Sequence, residues 1–482
     1  MAPKKKTRTT VGEIHPDALA YTAGRDIELD AALVEADCLG TAAHVTMLSR
    51  MPIRPLILGK AEAKRVVREL VAILRDHESG RFPIRLADQD VHLAVERRLT
   101  RRLGDLGRKV HTGRSRNDQV ALDLRLFGKE TLLDLHEKVA ELIQALLNMA
   151  RKHVAIPMVG RTHMQKAMPS SVGLWASAHA EALLDDVVFL MTAYDLNDQN
   201  PLGSAAGYGV PLPIDRDLVT RLLGLSRTMH NVLHAGNARG KNESYILQAA
   251  GQVMVTLSCL AQDLVLFSMP EFGYFTLPPA YGTGSSIMPQ KTNPDVLELV
   301  RARAARVLAH GQAVLEIIRS SPSGYNRDVQ EVKAPFLEGL AMTLSSVAIL
   351  KPIVEGIQVH RDALEAGFSP DVFAADRALE LAAQGMPFRS AYQQVKRELA
   401  SLEHRDPYHA MARKDHLGAT AGLDFDGLDR RAGEVAAFVK EDRKAFHKAL
   451  GGLLGVRYPL ARAGDSRNPT SVAKGCNSAG SH

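Results

Sequence analysis

The sequence is poor in cysteine and in aromatic residues. Its three cysteines, Cys38, Cys259 and Cys476, lie far apart and show neither metal-ligand nor disulfide spacing, which is typical of a reducing compartment. Aromatic residues make up 5% of the chain and include a single tryptophan, whereas alanine and leucine are abundant. This composition favours helix over sheet, and the cysteine pattern predicts a cytoplasmic protein.

The sequence also lacks a long uninterrupted apolar run. Its charged N-terminus is not followed by an apolar core, so it does not resemble a signal peptide. The longest apolar run, around 253–267, is broken by Gln262 and Asp263 and is interpreted as too short to span a bilayer. No GxGxxG motif, phosphate-binding loop or metal-ligand cluster stands out. We therefore expect a soluble protein with no membrane partner, no metal and no organic cofactor.

Positive charge is only slightly in excess over negative charge. The formal net charge is +6 and the pI is near 9.1, which would attract small anionic substrates. Part of the excess is the run Lys4, Lys5, Lys6 and Arg8. Such a run also occurs in nucleic-acid-binding and localisation segments, but we interpret it as part of a solvated tail and expect no nucleic-acid partner.

Apolar residues recur at helical spacing along most of the 482 residues. Long helices separated by loops with short polar motifs predict an all-α protein, a helical bundle whose ends carry the chemistry. A chain of this length should form two or three domains. The expected division is a disordered tail at 1–20, an N-terminal helical domain at 21–111, a central long-helix bundle at 112–362, a small C-terminal helical domain at 363–470, and a tail at 471–482.

The stretch 281–301, YGTGSSIMPQKTNPDVLELVR, joins a flexible loop to the start of a helix. Its glycines relax the backbone, its threonine and serines offer hydroxyl groups, and Pro294 suits the first position of a helix. The loop thus brings Lys291 and Asn293 to a helix N-terminus, where an anion is favoured.

Three further polar motifs lie in loops. The segment HTGRSRNDQVALDLRL at 111–126 places Arg114, Ser115, Arg116 and Asn117 at a turn before a helix, as a solvated cluster or a dicarboxylate clamp. The segment GRTHMQKAMP at 160–169 contains a Thr-His pair, and SGYNRDVQEVK at 323–333 forms another polar loop.

Taken together, these four segments resemble the signatures of the aspartase/fumarase superfamily, and 111–126 resembles its argininosuccinate lyase branch. Members eliminate across a Cα–Cβ bond and release fumarate. The resemblance covers about 25–390 and implies a three-domain subunit with a long central helical bundle. It also implies a homotetramer in which each site is built from three chains.

The resemblance implies a role for each matching residue. Ser285 would remove the Cβ proton, while Lys291 would stabilise the carboxylate that gains charge. His163 would assist the leaving group, polarised by Glu298. The implied substrate-binding residues are Ser115, Arg116, Asn117, Thr162, Asn293, Tyr325, Gln330, Lys333, Asp90 and Asp30.

The sequence departs from the argininosuccinate lyase pattern on the leaving-group side. Asp26 stands where a serine is usual, Gln89 replaces a glutamate, and 238–241 differ from the usual S-x-R-D-F segment. Asp26 either faces the leaving group or points to solvent and caps the first helix. The expected reaction is argininosuccinate to arginine and fumarate. The alternatives are another N-substituted aspartate, as for the similar ethylenediamine-disuccinate lyase, and a catalytically idle paralogue like the lens crystallins.

Overall fold

The computed structural model describes residues 7–9 and 12–460, and helices account for most of them. The N-terminal part begins with an antiparallel pair of short strands and continues into helices. Its elements are β1 (Thr7–Thr9), β2 (Gly12–Ile14), α1 (Pro16–Ala23), α2 (Asp26–Leu29), α3 (Val34–Leu48), α4 (Lys60–Glu78), α5 (Val91–Leu103) and α6 (Asp105–Lys109).

The prediction of a disordered tail over 1–20 is wrong where the structure describes it. Strands β1 and β2 pair, and α1 begins at residue 16 with Pro16 in its first turn. The His15 Nδ1 atom caps α1 by accepting a hydrogen bond from the Asp17 N–H at 3.2 Å, and Leu19 and Ala23 are buried. So short a helix buries too few apolar side chains to show a periodicity in the sequence. Residues 1–6, 10–11 and the predicted C-terminal tail at 471–482 lie outside the described residues.

The central part consists of long helices joined by short strands and helices. In chain order its elements are α7 (Arg116–Lys152), β3 (Pro157–Thr162), β4 (Gln165–Ser171), α8 (Val172–Asn197), β5 (Gln199–Asn200), α9 (Arg216–Leu222), β6 (Arg227–Thr228), α10 (Val232–Asn237), α11 (Lys241–Phe267), β7 (Phe275–Thr276), β8 (Thr283–Gly284), β9 (Thr292–Asn293), α12 (Asp295–Ile318), α13 (Lys333–Glu355) and β10 (Gln358–Val359).

Helices α7, α8, α11, α12 and α13 pack side by side in an up-and-down bundle. The direction of α8 against α7 follows from Arg125, near the start of α7, which donates to the carbonyl groups of Leu196 and Asn197 at the end of α8. The bundle therefore has two ends. We call the end where α7 begins and α12 finishes the clamp end, and the end where α7 finishes and α12 begins the loop end.

Helix α7 starts within the motif at 111–126, directly after the turn that this motif predicts. Ser115 is its N-cap: its Oγ accepts from the Asn117 N–H at 3.2 Å, and its own N–H donates to Asp118 Oδ1 at 2.9 Å. This reciprocal capping box supplies partners for amides that would otherwise lack them. Arg116 and Asn117 thus occupy the first two helical positions, directly after the Ser115 N-cap.

The C-terminal part is not made only of small helices, so the predicted domain at 363–470 is wrong over its second half. Short helices α14 (Arg361–Ala366), α15 (Ala374–Ala383), α16 (Phe388–Arg397) and α17 (Pro407–Ala412) do form a small body with its own apolar clusters. Helix α18 (Phe425–Leu454) then runs back along α7, and its apolar face joins the main core. The packing of α18 against the main core thus outweighs the local Gly/Pro breaks on which the domain prediction rested.

Two stretches of the described residues, Lys241–Phe267 and Arg327–Glu355, are long and apolar enough to cross a membrane by length and composition alone. The interpretation that the run around 253–267 is too short is therefore wrong as to length. Each stretch is half buried inside the protein. Buried core helices of soluble proteins have the same composition, because their partners cover the apolar faces.

Candidate active site

At the clamp end, Arg116 is already held by a carboxylate. Its Nη1 donates to Asp90 Oδ2 at 2.8 Å, and Gln89 Oε1 lies 3.5 Å from the same nitrogen. The other oxygen of Asp90 accepts from the Leu93 N–H at 2.9 Å, so Asp90 also caps α5. The Arg116 side chain keeps 39% of its surface exposed. It is therefore oriented by Asp90 with part of its guanidinium free to meet a substrate carboxylate.

Lys333 is the buried cation of this end. Its Nζ contacts Asp30 Oδ1 and lies 3.2 Å from Asp26 Oδ1, and its side chain is 4% exposed. Asp30 Oδ2 accepts from the Val91 N–H at 2.9 Å. Burial alone would lower the pKa of Lys333, but the two carboxylates outweigh it and raise the pKa above its usual value. Lys333 therefore stays charged.

Asp26 faces inward, so the interpretation that it points to solvent and caps a helix is wrong. The N-cap position of α2 is Arg25, and the Asp26 side chain is 14% exposed beside Lys333. Burial raises the pKa of Asp26, with Lys333 opposing that rise. The departure at position 26 thus lies among the predicted substrate-binding residues.

Two more predicted residues belong to the clamp end. Gln330 donates from Nε2 to the Thr22 carbonyl at 2.8 Å, which ties the 323–333 loop to α1. Tyr325 is exposed and shares a cleft with Asn117. The clamp end therefore brings together Asp30, Asp90, Ser115, Arg116, Asn117, Tyr325, Gln330 and Lys333.

At the loop end, Ser285 lies directly after β8, in the loop that joins β8 to β9. Thr283 pairs with Asn293 and Gly284 with Thr292, so the intervening loop returns to its starting point beside the N-terminus of α12. Ser285 Oγ accepts from the N–H groups of Ile287 at 3.3 Å and Met288 at 3.0 Å. These donors would favour a serine oxygen with negative charge, as a general base requires. The loop itself is largely exposed.

Lys291 and Glu298 are also exposed at the loop end. Among the described residues neither forms an ion pair or a side-chain hydrogen bond, so the expected contact between Glu298 and His163 does not occur within one chain. Lys291 is thus a free cation beside a helix N-terminus.

Thr162 and His163 lie at the tip of the β3–β4 hairpin. Thr162 pairs with Gln165, and His163 and Met164 between them have φ angles of 51° and 62°. The left-handed region is unfavourable for residues other than glycine, and such strain is often found at functional sites. The tip is exposed, and it presents the imidazole outward from the subunit.

The two ends of the bundle are too far apart to form one site within a chain. Helix α12 has 24 residues and separates Asn293 from the 323–333 loop. At 1.5 Å per residue it spans roughly 36 Å. Helix α7 has 37 residues and separates Arg116 from the β3–β4 hairpin by roughly 55 Å. The structure therefore gathers the clamp residues but leaves Ser285, Lys291, Asn293 and Glu298, with Thr162 and His163, at the opposite end.

A buried group next to the clamp was missed by the sequence reasoning. His92 Nδ1 lies 2.7 Å from Asp37 Oδ1 and 3.6 Å from Asp123 Oδ2, and all three side chains are buried. Burial opposes the charged form of His92, but the two carboxylates raise its pKa to about 9. The polar atoms of the three side chains lie close enough together to hold a metal ion. A protonated His92 already supplies positive charge to the two carboxylates. They come from three separate helices, so no local motif signals them.

A family model, individual relatives and a solved structure that match this chain are all lyases. A lyase family model matches residues 21–309. An argininosuccinate lyase from Sorangium cellulosum is 43% identical over 420 residues, which is 87% of this chain and 96% of the relative. One from Bacteroides fragilis is 41% identical over 437 residues, 90% of this chain and 94% of the relative. The solved structure of an EDDS lyase variant with bound fumarate has a TM-score of 0.76 at 20% identity and covers 92% of this chain and 97% of that one, which shows the fold alone.

Proposed function

The chain belongs to the argininosuccinate lyase family, and from this premise we propose that it cleaves argininosuccinate to arginine and fumarate. The observation that carries the proposal is the 43% identity to an argininosuccinate lyase across 96% of that relative. The aligned region spans 420 residues, 87% of this chain, and therefore includes both ends of the bundle. The protein is a carbon–nitrogen lyase.

The reaction requires a base, an electrophilic clamp and an acid. Ser285, deprotonated and surrounded by N–H donors, takes a proton from Cβ of the succinyl half. The electrons of that C–H bond form the new double bond, and the pair of the C–N bond leaves with the guanidinium nitrogen of arginine. Lys291 and Asn293 stabilise the carboxylate on which charge accumulates before the C–N bond breaks. His163, polarised by Glu298 and assisted by Thr162, donates a proton to the departing nitrogen, so arginine leaves with a protonated guanidinium, and the proton taken by Ser285 returns to solvent.

The geometry of one chain supports a site shared between subunits. Because roughly 36 Å of α12 separates Asn293 from Tyr325 and Lys333, one chain supplies either the clamp or the base to a given site. Large apolar side chains are exposed along the bundle helices, among them Val188, Val255, Leu299 and Leu308. A homotetramer with antiparallel bundles would cover these side chains and bring a loop end to each clamp end.

The second candidate is a lyase for another N-substituted aspartate, such as ethylenediamine-disuccinate. What favours it is Asp26, which adds a carboxylate to the leaving-group side next to Lys333. An idle crystallin-like paralogue is disfavoured, because Ser285, Lys291, Asn293 and His163 are all present. We place the enzyme in the cytoplasm, without a nucleic-acid or membrane partner, on the strength of its cysteine usage and small anionic substrate.

Ultraviolet detection of fumarate from a panel of N-substituted aspartates tests the proposal. Fumarate from argininosuccinate in clear preference to ethylenediamine-disuccinate and N-alkyl aspartates is the expected result. Preference for a different member of the panel would transfer the proposal to that substrate, and fumarate from none would favour the idle paralogue.

A further inference from the structure

His163 lies in a turn whose backbone conformation does not suit its residue type. The β3–β4 hairpin turns at His163 and Met164, which both have positive φ angles, 51° and 62°. Two-residue hairpin turns with positive φ at both positions are usually Asn-Gly or Asp-Gly, because other side chains are strained there. The turn is also exposed, so burial does not hold it. Contacts from outside these two residues are therefore needed to keep His163 in this conformation.

The base of the hairpin is fixed by the small C-terminal body, which contains α14–α17. Val159 on β3 is buried in one apolar cluster with Phe368 and Phe373. On the opposite strand, the Pro169 carbonyl accepts from Lys414 Nζ at 2.9 Å. Both strands are thus anchored where the hairpin leaves the bundle.

The tip is separated from this anchored base by a bulge. Gly160 pairs with Met168, but the next residue, Arg161, pairs with Lys166, so Ala167 is an extra residue in β4. A bulge interrupts the ladder of backbone hydrogen bonds and bends the strand that carries it. Anchoring of the base therefore does not by itself fix the direction of the tip.

Arg161 supplies the missing support beyond the bulge. Its Nη1 donates to the Met164 carbonyl at 3.3 Å, inside the strained turn, and its guanidinium lies over the Phe272 ring, 4.9 Å from the centroid. The Nε atom of Arg161 is buried, so the side chain lies against the protein and does not extend into solvent. The Phe272 ring is itself held edge-on by Phe267 and Tyr274. One side chain thus ties the turn to a fixed aromatic surface.

We propose that Arg161 is a positioning residue, which directs His163 by holding the Met164 carbonyl against the Phe272 surface. This rests on the proposed function, in which His163 donates a proton to the departing nitrogen. Arg161 takes no part in that proton transfer. Without it the turn would relax towards the negative φ angles that residues other than glycine prefer, and the imidazole would change direction.

Steady-state kinetics of fumarate release by the full-length protein tests this inference. Arg161→Met removes the donor and the cation but keeps a long apolar side chain. We expect kcat to fall at least about tenfold while KM for argininosuccinate stays within about twofold of the wild type, because the acid is misplaced and substrate binding is not. Arg161→Lys keeps the charge over the ring but loses the planar fork, so its kcat should lie between the two.

Lys166→Met is the matched control. Lys166 is the cross-strand neighbour of Arg161, and its Nζ donates to Ser369 Oγ in the small C-terminal body at 3.3 Å. The control removes the same charge from the same hairpin and should keep kcat within about twofold of the wild type. An equal fall of kcat in both variants would assign the effect to net charge. A higher KM with unchanged kcat in Arg161→Met would make Arg161 a substrate-binding residue, and either result overturns the inference.

Amide hydrogen exchange of the hairpin, followed by mass spectrometry of a peptide spanning 158–168, is a readout that does not depend on the reaction. Exchange in Arg161→Met should be at least about fivefold faster than in the wild type and in Lys166→Met, because the tip opens locally. If the wild type releases no fumarate but Arg161→Met shows this faster exchange, the proposed reaction fails and the positioning of the tip stands. Equal exchange in all three proteins overturns the inference.

Discussion

Lys333 shows how one residue serves both the fold and the predicted site. Its ammonium group is enclosed by Asp26 and Asp30, and Asp30 in turn accepts from the backbone at the start of α5. Breaking such a buried arrangement costs more than an exposed ion pair would. Asp26 is the less buried of the two carboxylates and has no backbone donor among its contacts. It is therefore the member that can change without loss of the fold.

Replacing Asp26 with serine should change which leaving group is preferred. Serine removes a negative charge beside Lys333 and leaves that cation freer to meet an anionic group. We expect the ratio of kcat/KM for argininosuccinate to kcat/KM for N-(2-aminoethyl)aspartate to rise at least tenfold, about 1.4 kcal/mol. Asp415→Ser, on the exposed surface of the small C-terminal body, is the control. An unchanged ratio in Asp26→Ser would mean that this carboxylate does not face the leaving group.

The pKa of His92 makes stability depend on pH. The folded-state value of about 9 lies above the unfolded value near 6.5, so the stabilisation is fully present below pH 6.5 and is lost as pH rises through 9. We expect the free energy of unfolding to fall between pH 6.5 and 9.5 by at most about 3 kcal/mol from this group. His92→Gln should flatten that slope, and an equal slope in both proteins would assign the dependence elsewhere.

At the scale of elements, buried polar contacts decide how helices are joined. Lys129 on α7 lies 2.7 Å from Asp198, after α8, and 3.2 Å from Asp442 on α18, and its side chain is 2% exposed. Its Nζ also lies 5.0 Å from the centroid of the Phe446 ring. Lys129 thus joins α18 to the central bundle, together with the ion pairs Arg443–Glu137 and His447–Glu130 and the apolar face of α18, so α18 belongs with the core and not with the small C-terminal body.

Lys129→Met should therefore destabilise the whole protein. The substitution leaves the buried carboxylate of Asp198 and the partly exposed carboxylate of Asp442 without their shared cation, and breaking such a buried pair is expected to cost about 3–5 kcal/mol. Lys138→Met on the same helix removes only a half-exposed pair with Glu141 and should cost no more than about 0.5 kcal/mol. Urea unfolding measures both. A loss for Lys129→Met no greater than that for Lys138→Met would show that Lys129 does not hold α18 to the bundle.

The elements that could be predicted from the sequence are those with a long apolar repeat. Helices α4, α5, α8, α11 and α12 form where apolar residues recur at helical spacing, because the periodic burial is encoded in their own residues. Helix α1 is too short to show such a repeat, and α7 begins at a polar capping box that carries no apolar signal. The contacts of Lys333 with Asp26 and of His92 with Asp37 join separate helices, so no local pattern contains them.

At the scale of the whole molecule, the long helices separate the halves of the site. The four segments that carry the family resemblance lie at opposite ends of α7 and α12, and these helices separate them by roughly 36 Å or more. Rigid helices of that length cannot bend to bring the ends together. We therefore propose that a functional site needs another chain whose loop end meets the clamp end of the first, so that assembly would be required for catalysis.

Complementation between two inactive variants tests this arrangement. Ser285→Ala removes the proposed base at the loop end, and Arg116→Met removes the carboxylate clamp at the other end, so each homotetramer should retain less than about a tenth of wild-type kcat/KM. When the two variants are unfolded together and refolded, some sites receive Ser285 from one chain and Arg116 from the other. Half of the chains carry each intact residue, so random mixing restores at most about a quarter of wild-type activity. A mixture refolded separately and then combined is the control, because intact homotetramers contain no mixed sites. If mixed tetramers verified by mass spectrometry stayed inactive, base and clamp would have to come from the same chain, which the length of α12 opposes.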